Sequence, residues 1–141
     1  MKVADFMTKQ VVTVDPAESV EVASRMLTQY NIGALPVCNS NGRLQGIVTD
    51  RDLVTRCMAA NRDPTRTYVR EVMTNGITTV TPETDLSQAA ALMAKQQVRR
   101  LPVVEGGMVC GMVSLGDVAR QNDSIEVAAN TLFDISSNIR K

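Results

Sequence analysis

The sequence predicts a mixed α/β fold of the α+β class, built from two copies of one β-α-β-β-α unit and closed by a C-terminal helix. Three observations carry that expectation. The chain repeats itself: Met7-Thr8 recurs as Met73-Thr74, Thr13-Val14-x-Pro16 as Thr79-Val80-x-Pro82, Ala23 as Ala89 and Leu35-Pro36-Val37 as Leu101-Pro102-Val103, each 66 positions on. After a one-residue deletion the offset is 65, and Gly46, Val48 and Asp52 recur as Gly111, Val113 and Asp117. Within each copy, short β-branched runs alternate with stretches of helical periodicity. Of the 141 residues 44% are hydrophobic but only 3% aromatic, which allows a core of Val, Ile, Leu, Met and Ala.

Each copy reads in the same order. The runs VVTV (11–14) and ITTV (77–80) are β-rich and stop before Pro16 and Pro82, as strands do. Ser19 or Thr84 then offers a hydroxyl to cap a helix. Val20, Ala23, Leu27 and Tyr30 follow helical spacing in the first copy, and Leu86, Ala89 and Met93 in the second. ALPVC and LPVVE are apolar runs suited to buried strands. Asn41-Gly42 and Gly106-Gly107 are hairpin-turn signals, and LQGIV and VCGMV supply the return strands. A second helix starts near Asp50 or Leu115.

A unit of about 50–60 residues buries little surface alone. Two copies packed through their sheets about a pseudo-twofold axis would answer that. The expected organisation is repeat one at 1–58, a linker at 59–67 that is polar and contains Pro64, repeat two at 68–122, and a C-terminal amphipathic helix and tail at 123–141. In that helix Ile125, Ala128, Ala129, Leu132 and Ile139 make an approximate apolar stripe.

Composition excludes several functions. Fifteen basic residues balance fifteen acidic ones and there is no Trp, a poor match to nucleic-acid binding. No apolar run approaches the roughly 18–20 residues that span a bilayer, and MKVADFMTKQ lacks a signal-peptide core. Cys38, Cys57 and Cys110 are odd in number and far apart, which suits buried hydrophobes in a reducing, cytoplasmic setting. With no histidine and no C-x-x-C pair, the commonest general base and metal ligand are missing; neither a metal site nor a catalytic residue is expected.

The chain resembles the cystathionine β-synthase (CBS) domain family, in the form of a stand-alone tandem pair. The residues that carry the resemblance are Val3-x-Asp5-x-Met7-Thr8 and Val69-x-Glu71-x-Met73-Thr74, the Thr-Val-x-Pro segments, Ile32-Gly33-Ala34-Leu35-Pro36-Val37, Val98-Arg99-Arg100-Leu101-Pro102-Val103, and the phrases GIVTDRD and GMVSLGD. They span about residues 3 to 120. The resemblance implies a non-catalytic regulatory module that binds an adenine nucleotide (AMP, ADP or ATP) or an adenosyl compound, with no catalytic cofactor, as a homodimer that signals to a regulated protein. A structural or protein-interaction role without a nucleotide is the alternative.

The repeated [ST]-x-x-D supports two readings that coexist. It is a helix-capping box, with Thr49 or Ser114 taking an early N–H and Asp52 or Asp117 in the first turn. A helix start also suits phosphate, and an aspartate accepts hydrogen bonds from a ribose diol. Gly46 and Gly111 would let backbone or ligand come close. Arg99-Arg100 has the planar paired donors of a phosphate clamp, where the first copy has Gly33-Ala34. The family geometry, carried over, is crossed. Site one would gather Thr49, Arg51, Asp52, Ile77, Thr78, Thr79, Val98, Arg99 and Arg100. Site two would gather Val12, Thr13, Gly33, Ala34, Ser114 and Asp117, with no local cation unless Lys9, Arg25 or a dimer mate supplies one.

Overall fold

The computed structural model describes residues 1–120 and 125–138. Helices and strands both appear, as expected of a mixed fold. The order is α1 (Val20–Tyr30), β1 (Ala34–Cys38), β2 (Leu44–Thr49), α2 (Asp50–Leu53) running into a π-helical turn (Val54–Met58), α3 (Val69–Val72), α4 (Leu86–Gln96), β3 (Arg100–Glu105), β4 (Met108–Ser114), α5 (Leu115–Ala119) and α6 (Ile125–Asn138).

The repeats follow one another in the chain, but the compact units do not. One unit is Val12–Ile77; the other joins Met1–Val11 to Thr78–Lys141. Each repeat is completed by a short segment that belongs to the sequence motif of the other. In the first unit Val69 N donates to Glu18 O (2.8 Å), Arg70 N to Pro16 O (3.0 Å) and Val20 N to Thr67 O (2.9 Å). In the second, Val3 N donates to Thr84 O (2.8 Å), Ala4 N to Pro82 O (3.0 Å) and Leu86 N to Met1 O (3.0 Å). These bonds satisfy backbone groups that a helix start would otherwise leave unpaired.

Both sheets are antiparallel pairs, β1 with β2 and β3 with β4. The hairpins turn where the sequence places the glycines, with Gly42 at φ 79° and Gly106 and Gly107 at 62° and 82°. The expected first strands are reduced to one residue each. Val14 bridges Val37 in parallel, and Val80 bridges Val103. The reason is the neighbouring proline. Val14 N donates to Pro36 O and Cys38 N to Val14 O, both at 3.0 Å. The next rung back would need an N–H from Pro36, which has none. Val80 meets the same stop at Pro102, with Val80 N to Pro102 O at 3.1 Å.

The cores match the helical periodicity. Val20, Ala23 and Leu27 of α1 join Leu35, Val37 and Val48; Tyr30 is exposed. Leu86, Ala89 and Met93 of α4 join Leu101, Val103 and Val113. Ser19 caps α1, accepting from Val22 N at 3.1 Å. Thr84 does not cap α4: its hydroxyl accepts from Thr81 N in the preceding turn (3.0 Å), and Asp85 is the N-cap. The segment 59–67 is turn-rich and offers the carbonyls of Pro64 and Thr67 to the first amides of α1.

Of the expected stripe on α6, the two residues with described side chains are exposed. Thr131 and Ile135 are buried, while Ala129 and Leu132 are exposed. Ile125 and Ala128 have side chains outside the described set, as is Ile139 altogether. The helix packs on α4 and α5, and Ile135 enters their core.

Candidate functional site

The two [ST]-x-x-D phrases fold as complete capping boxes. At the start of α2, Asp52 N donates to Thr49 Oγ1 (3.1 Å) and Thr49 N to Asp52 Oδ2 (2.9 Å). At the start of α5, Asp117 N donates to Ser114 Oγ (3.1 Å) and Ser114 N to Asp117 Oδ2 (2.8 Å). Extended backbone at Thr49 and Ser114, directly after a strand, aims each hydroxyl at the third amide of the helix. The price of burying a carboxylate is met by these bonds, and Asp52 and Asp117 are only 8% and 4% exposed.

Each carboxylate uses one oxygen in its box. The second oxygens face different partners. Asp52 Oδ1 lies 3.9 Å from Arg56 Nε, an ion-pair distance too long for a hydrogen bond. The Arg56 guanidinium is held instead by backbone, Nη1 donating to Met73 O (3.0 Å) and Val72 O (3.4 Å). Asp117 Oδ1 is hydrogen-bonded directly by Arg120 Nη2. Neither arginine was singled out from the sequence. The signal was legible in the spacing, an acid three or four residues before an arginine on one helical face.

The residues just before Leu-Pro lie beside the box of their own unit. Ala34 is in register with Thr49, and Asp50 N donates to Gly33 O at 3.1 Å. Arg100 is in register with Ser114, and Leu115 N donates to Arg99 O at 2.8 Å. Arg99 is exposed and Arg100 half-buried, and neither forms an ion pair with a described residue. Arg51 is exposed, its amide donating to Asp50 Oδ1. Val12, Ile77 and Thr78 are half-buried; Thr13, Thr79 and Val98 are exposed. The unit 12–77 thus holds Val12, Thr13, Gly33, Ala34, Thr49, Arg51, Asp52 and Ile77. The other holds Thr78, Thr79, Val98, Arg99, Arg100, Ser114 and Asp117.

The glycines of the repeated phrase serve the chain's own backbone. A Cβ on Gly46 would fall 2.5 Å from Thr74 O, and one on Gly111 would fall 2.6 Å from Met7 Sδ and 3.0 Å from Thr8 O. Thr74 exchanges a bond pair with Ile47, and Thr8 one with Met112. The Met-Thr and Gly motifs of the sequence are thus two sides of one contact.

The unit 12–77 also carries a groove of about 680 Å³ between α1 and the π-helical turn. Leu27, Val54, Cys57 and Met58 line it, with Asp50 and Asp63 at its polar edge. Cys38 and Cys57 are buried and Cys110 half-buried. Among the described residues no group of three His, Cys, Asp or Glu could hold a metal ion, and no helix is long and apolar enough to cross a membrane.

The family model described as CBS domain matches residues 3–59 and 69–124. The chain is similar to the CBS domain-containing protein YhcV of Bacillus subtilis, 42% identical over 95% of this chain and 94% of that one. Among solved structures it is similar to Hypoxic Response Protein I with two coordinated zinc ions (32% identity, TM-score 0.80, 86% of this chain and 98% of that one). It is also similar to the CBS domain pair of protein MJ0100 in complex with 5′-methylthioadenosine and S-adenosyl-L-methionine (28% identity, TM-score 0.76, 85% and 94%).

Proposed function

Because this chain belongs to the CBS domain family and carries two CBS domains, we propose that it is a non-catalytic regulatory module that binds an adenine nucleotide or adenosyl compound and signals to a protein partner. One observation carries the reading: each unit buries a carboxylate at the start of its second helix, in a fold whose relative MJ0100 was solved with two adenosyl ligands. A carboxylate already desolvated and fixed by its own helix accepts hydroxyl donors without losing further freedom.

Site one is proposed to comprise Thr49, Arg51, Asp52, Ile77, Thr78, Thr79, Val98, Arg99 and Arg100, and to carry the anionic ligand. Arg99 and Arg100 lack ion-pair partners among the described residues, so their charge is available to phosphate. Site two is proposed at Val12, Thr13, Gly33, Ala34, Ser114 and Asp117, for a less charged adenosyl compound. The segment 59–67, which caps α1 through its carbonyls, is the proposed linker between repeats.

The test is thermal unfolding with AMP, ADP, ATP and S-adenosyl-L-methionine, followed by titration calorimetry. A ligand that binds only the native state raises the melting temperature, by an amount equivalent to about 2.7 kcal/mol at 100 times its Kd. Arg100→Ala should weaken ATP more than adenosine. No shift with any of these ligands would leave the second reading, a protein-interaction module without a nucleotide.

That second reading draws on the apolar groove of the unit 12–77 and on Leu132 and Phe133, 41% and 71% exposed on α6. We take these surfaces to join two copies of the chain, since α6 already covers the matching helix pair, α4 and α5, in its own unit. Sedimentation of wild type against Phe133→Asp reads this directly: a homodimer that becomes monomer supports it, an unchanged mass overturns it. Free cysteines and balanced charge suit the cytoplasm as the site of action.

A further inference from the structure

The two capping boxes are alike in every bond that holds the helix. The second carboxylate oxygen is where they part. Asp52 Oδ1 has Arg56 Nε at 3.9 Å, while Nη1 of that guanidinium donates to the carbonyls of Val72 and Met73. Asp117 Oδ1 receives a direct hydrogen bond from Arg120, three residues on. The counterpart of Arg120 in the first repeat is Thr55, whose hydroxyl donates to Arg51 O (2.8 Å) and leaves the carboxylate alone. The helices also part here: α2 runs on into the π-helical turn that holds Thr55, whereas Arg120 is the C-cap of α5.

We propose that Arg120 is the specificity-determining residue that makes the two ligand positions unequal, by occupying the carboxylate oxygen of Asp117 that a ribose diol would need. This rests on the nucleotide reading above and adds an order of filling to it. A ligand finds Asp52 with an acceptor oxygen available and binds there first. At Asp117 it must displace Arg120. That side chain is 70% exposed and, among the described residues, its one ion pair is with Asp117, so it tunes affinity rather than abolishing it; an exposed ion pair is weak enough to be displaced. The expected penalty is about two- to fivefold in Kd.

The experiment is titration calorimetry of AMP into the full chain, with binding events counted by native mass spectrometry. Wild type should show a first event that Asp52→Asn removes, and a weaker second one. Arg120→Ala should tighten the second event by about two- to fivefold, leave the first unchanged, and lose the gain when Asp117→Asn is added. Arg120→Lys, which keeps the charge but not the planar fork, should fall between the two. Since Arg120 is exposed, its replacement leaves the core intact, and circular dichroism of each variant checks this.

A second event that Arg120→Ala does not move overturns the inference and spares the nucleotide reading. A first event removed by Asp117→Asn instead of Asp52→Asn does the same. Absence of any AMP binding in wild type and Arg120→Ala alike overturns both.

Discussion

Gly46→Ala tests how each unit is closed. The added methyl would sit 2.5 Å from Thr74 O and 3.1 Å from Met73 Sδ. Ordinary carbon–oxygen contact needs about 3.3 Å or more, so Thr74 must retreat by roughly 0.8 Å. The retreat breaks the paired bonds Ile47 N to Thr74 O (3.0 Å) and Thr74 N to Ile47 O (2.8 Å). At about 0.5–1.5 kcal/mol each, the loss is about 1–3 kcal/mol. Alanine restricts the unfolded chain and returns about 0.4–1 kcal/mol. The net expectation is a destabilisation of about 1–2 kcal/mol.

Gly111→Ala should cost less, although the phrase around it is the same. Its nearest neighbour is the Met7 thioether at 2.6 Å, a flexible group that can rotate away, and Thr8 O at 3.0 Å needs to give only about 0.3 Å. Urea denaturation of both variants, with hydrogen exchange at the Ile47 and Thr74 amides, makes the comparison. The expected result is a lower midpoint for Gly46→Ala and loss of protection confined to those two amides. If Gly46→Ala matches wild type within about 0.5 kcal/mol, or Gly111→Ala is the more damaged, the closure described here is wrong.

Three further outcomes follow from other parts of the molecule. Ile135→Ala should cost about 2–4 kcal/mol, because Ile135 is 3% exposed and joins the core under α4 and α5; thermal melts decide. Glu71 has its carboxyl held below the ordinary range by the Tyr68 amide first and then by Arg62, so its contribution to stability is fully present above the unfolded value of about 4.3 and is lost as pH falls through the lower folded value; the gap between wild type and Glu71→Gln should stay constant above about pH 5 and close in acid. Burial, with Glu105 second, pushes the Cys110 thiol up, so alkylation near neutral pH should be slow and Glu105→Gln should speed it; an unchanged rate removes Glu105 as a cause.

Much of this was open to reading in the sequence because the repeat samples one unit twice. Two copies of the same helical spacing located Val20, Ala23 and Leu27, and Leu86, Ala89 and Met93, in their cores. The capping boxes followed from a hydroxyl and an acid three residues apart, since both partners lie in the same short segment. What escaped was decided by contacts distant in sequence. The run VVTV has the composition of a strand, yet Pro36, some twenty residues on, supplies no N–H for its second rung. Ala129 and Leu132 look like core positions on α6, but only Thr131 and Ile135, among its described side chains, are buried. The nine residues proposed for site one are divided between the two units, so a local pattern shows their types and nothing more.

The repeat also explains where this chain has room to differ from itself. The capping boxes, the Met-Thr crossings and the Leu-Pro stops are the same in both units because each satisfies backbone groups that any copy of the fold must satisfy. The copies diverge instead in side chains outside those shared pairings: Gly33-Ala34 against Arg99-Arg100, Arg51 against Gly116, Thr55 against Arg120. Thr55 and Arg120 show the principle most clearly. Both lie three residues after the buried aspartate, Thr55 in the π-helical turn and Arg120 at the C-cap of α5, yet one bonds a backbone carbonyl and the other bonds the carboxylate. Duplicated backbone pairing therefore sets a constant frame, and on the proposed nucleotide reading the unequal side chains on it would decide which half takes a ligand first.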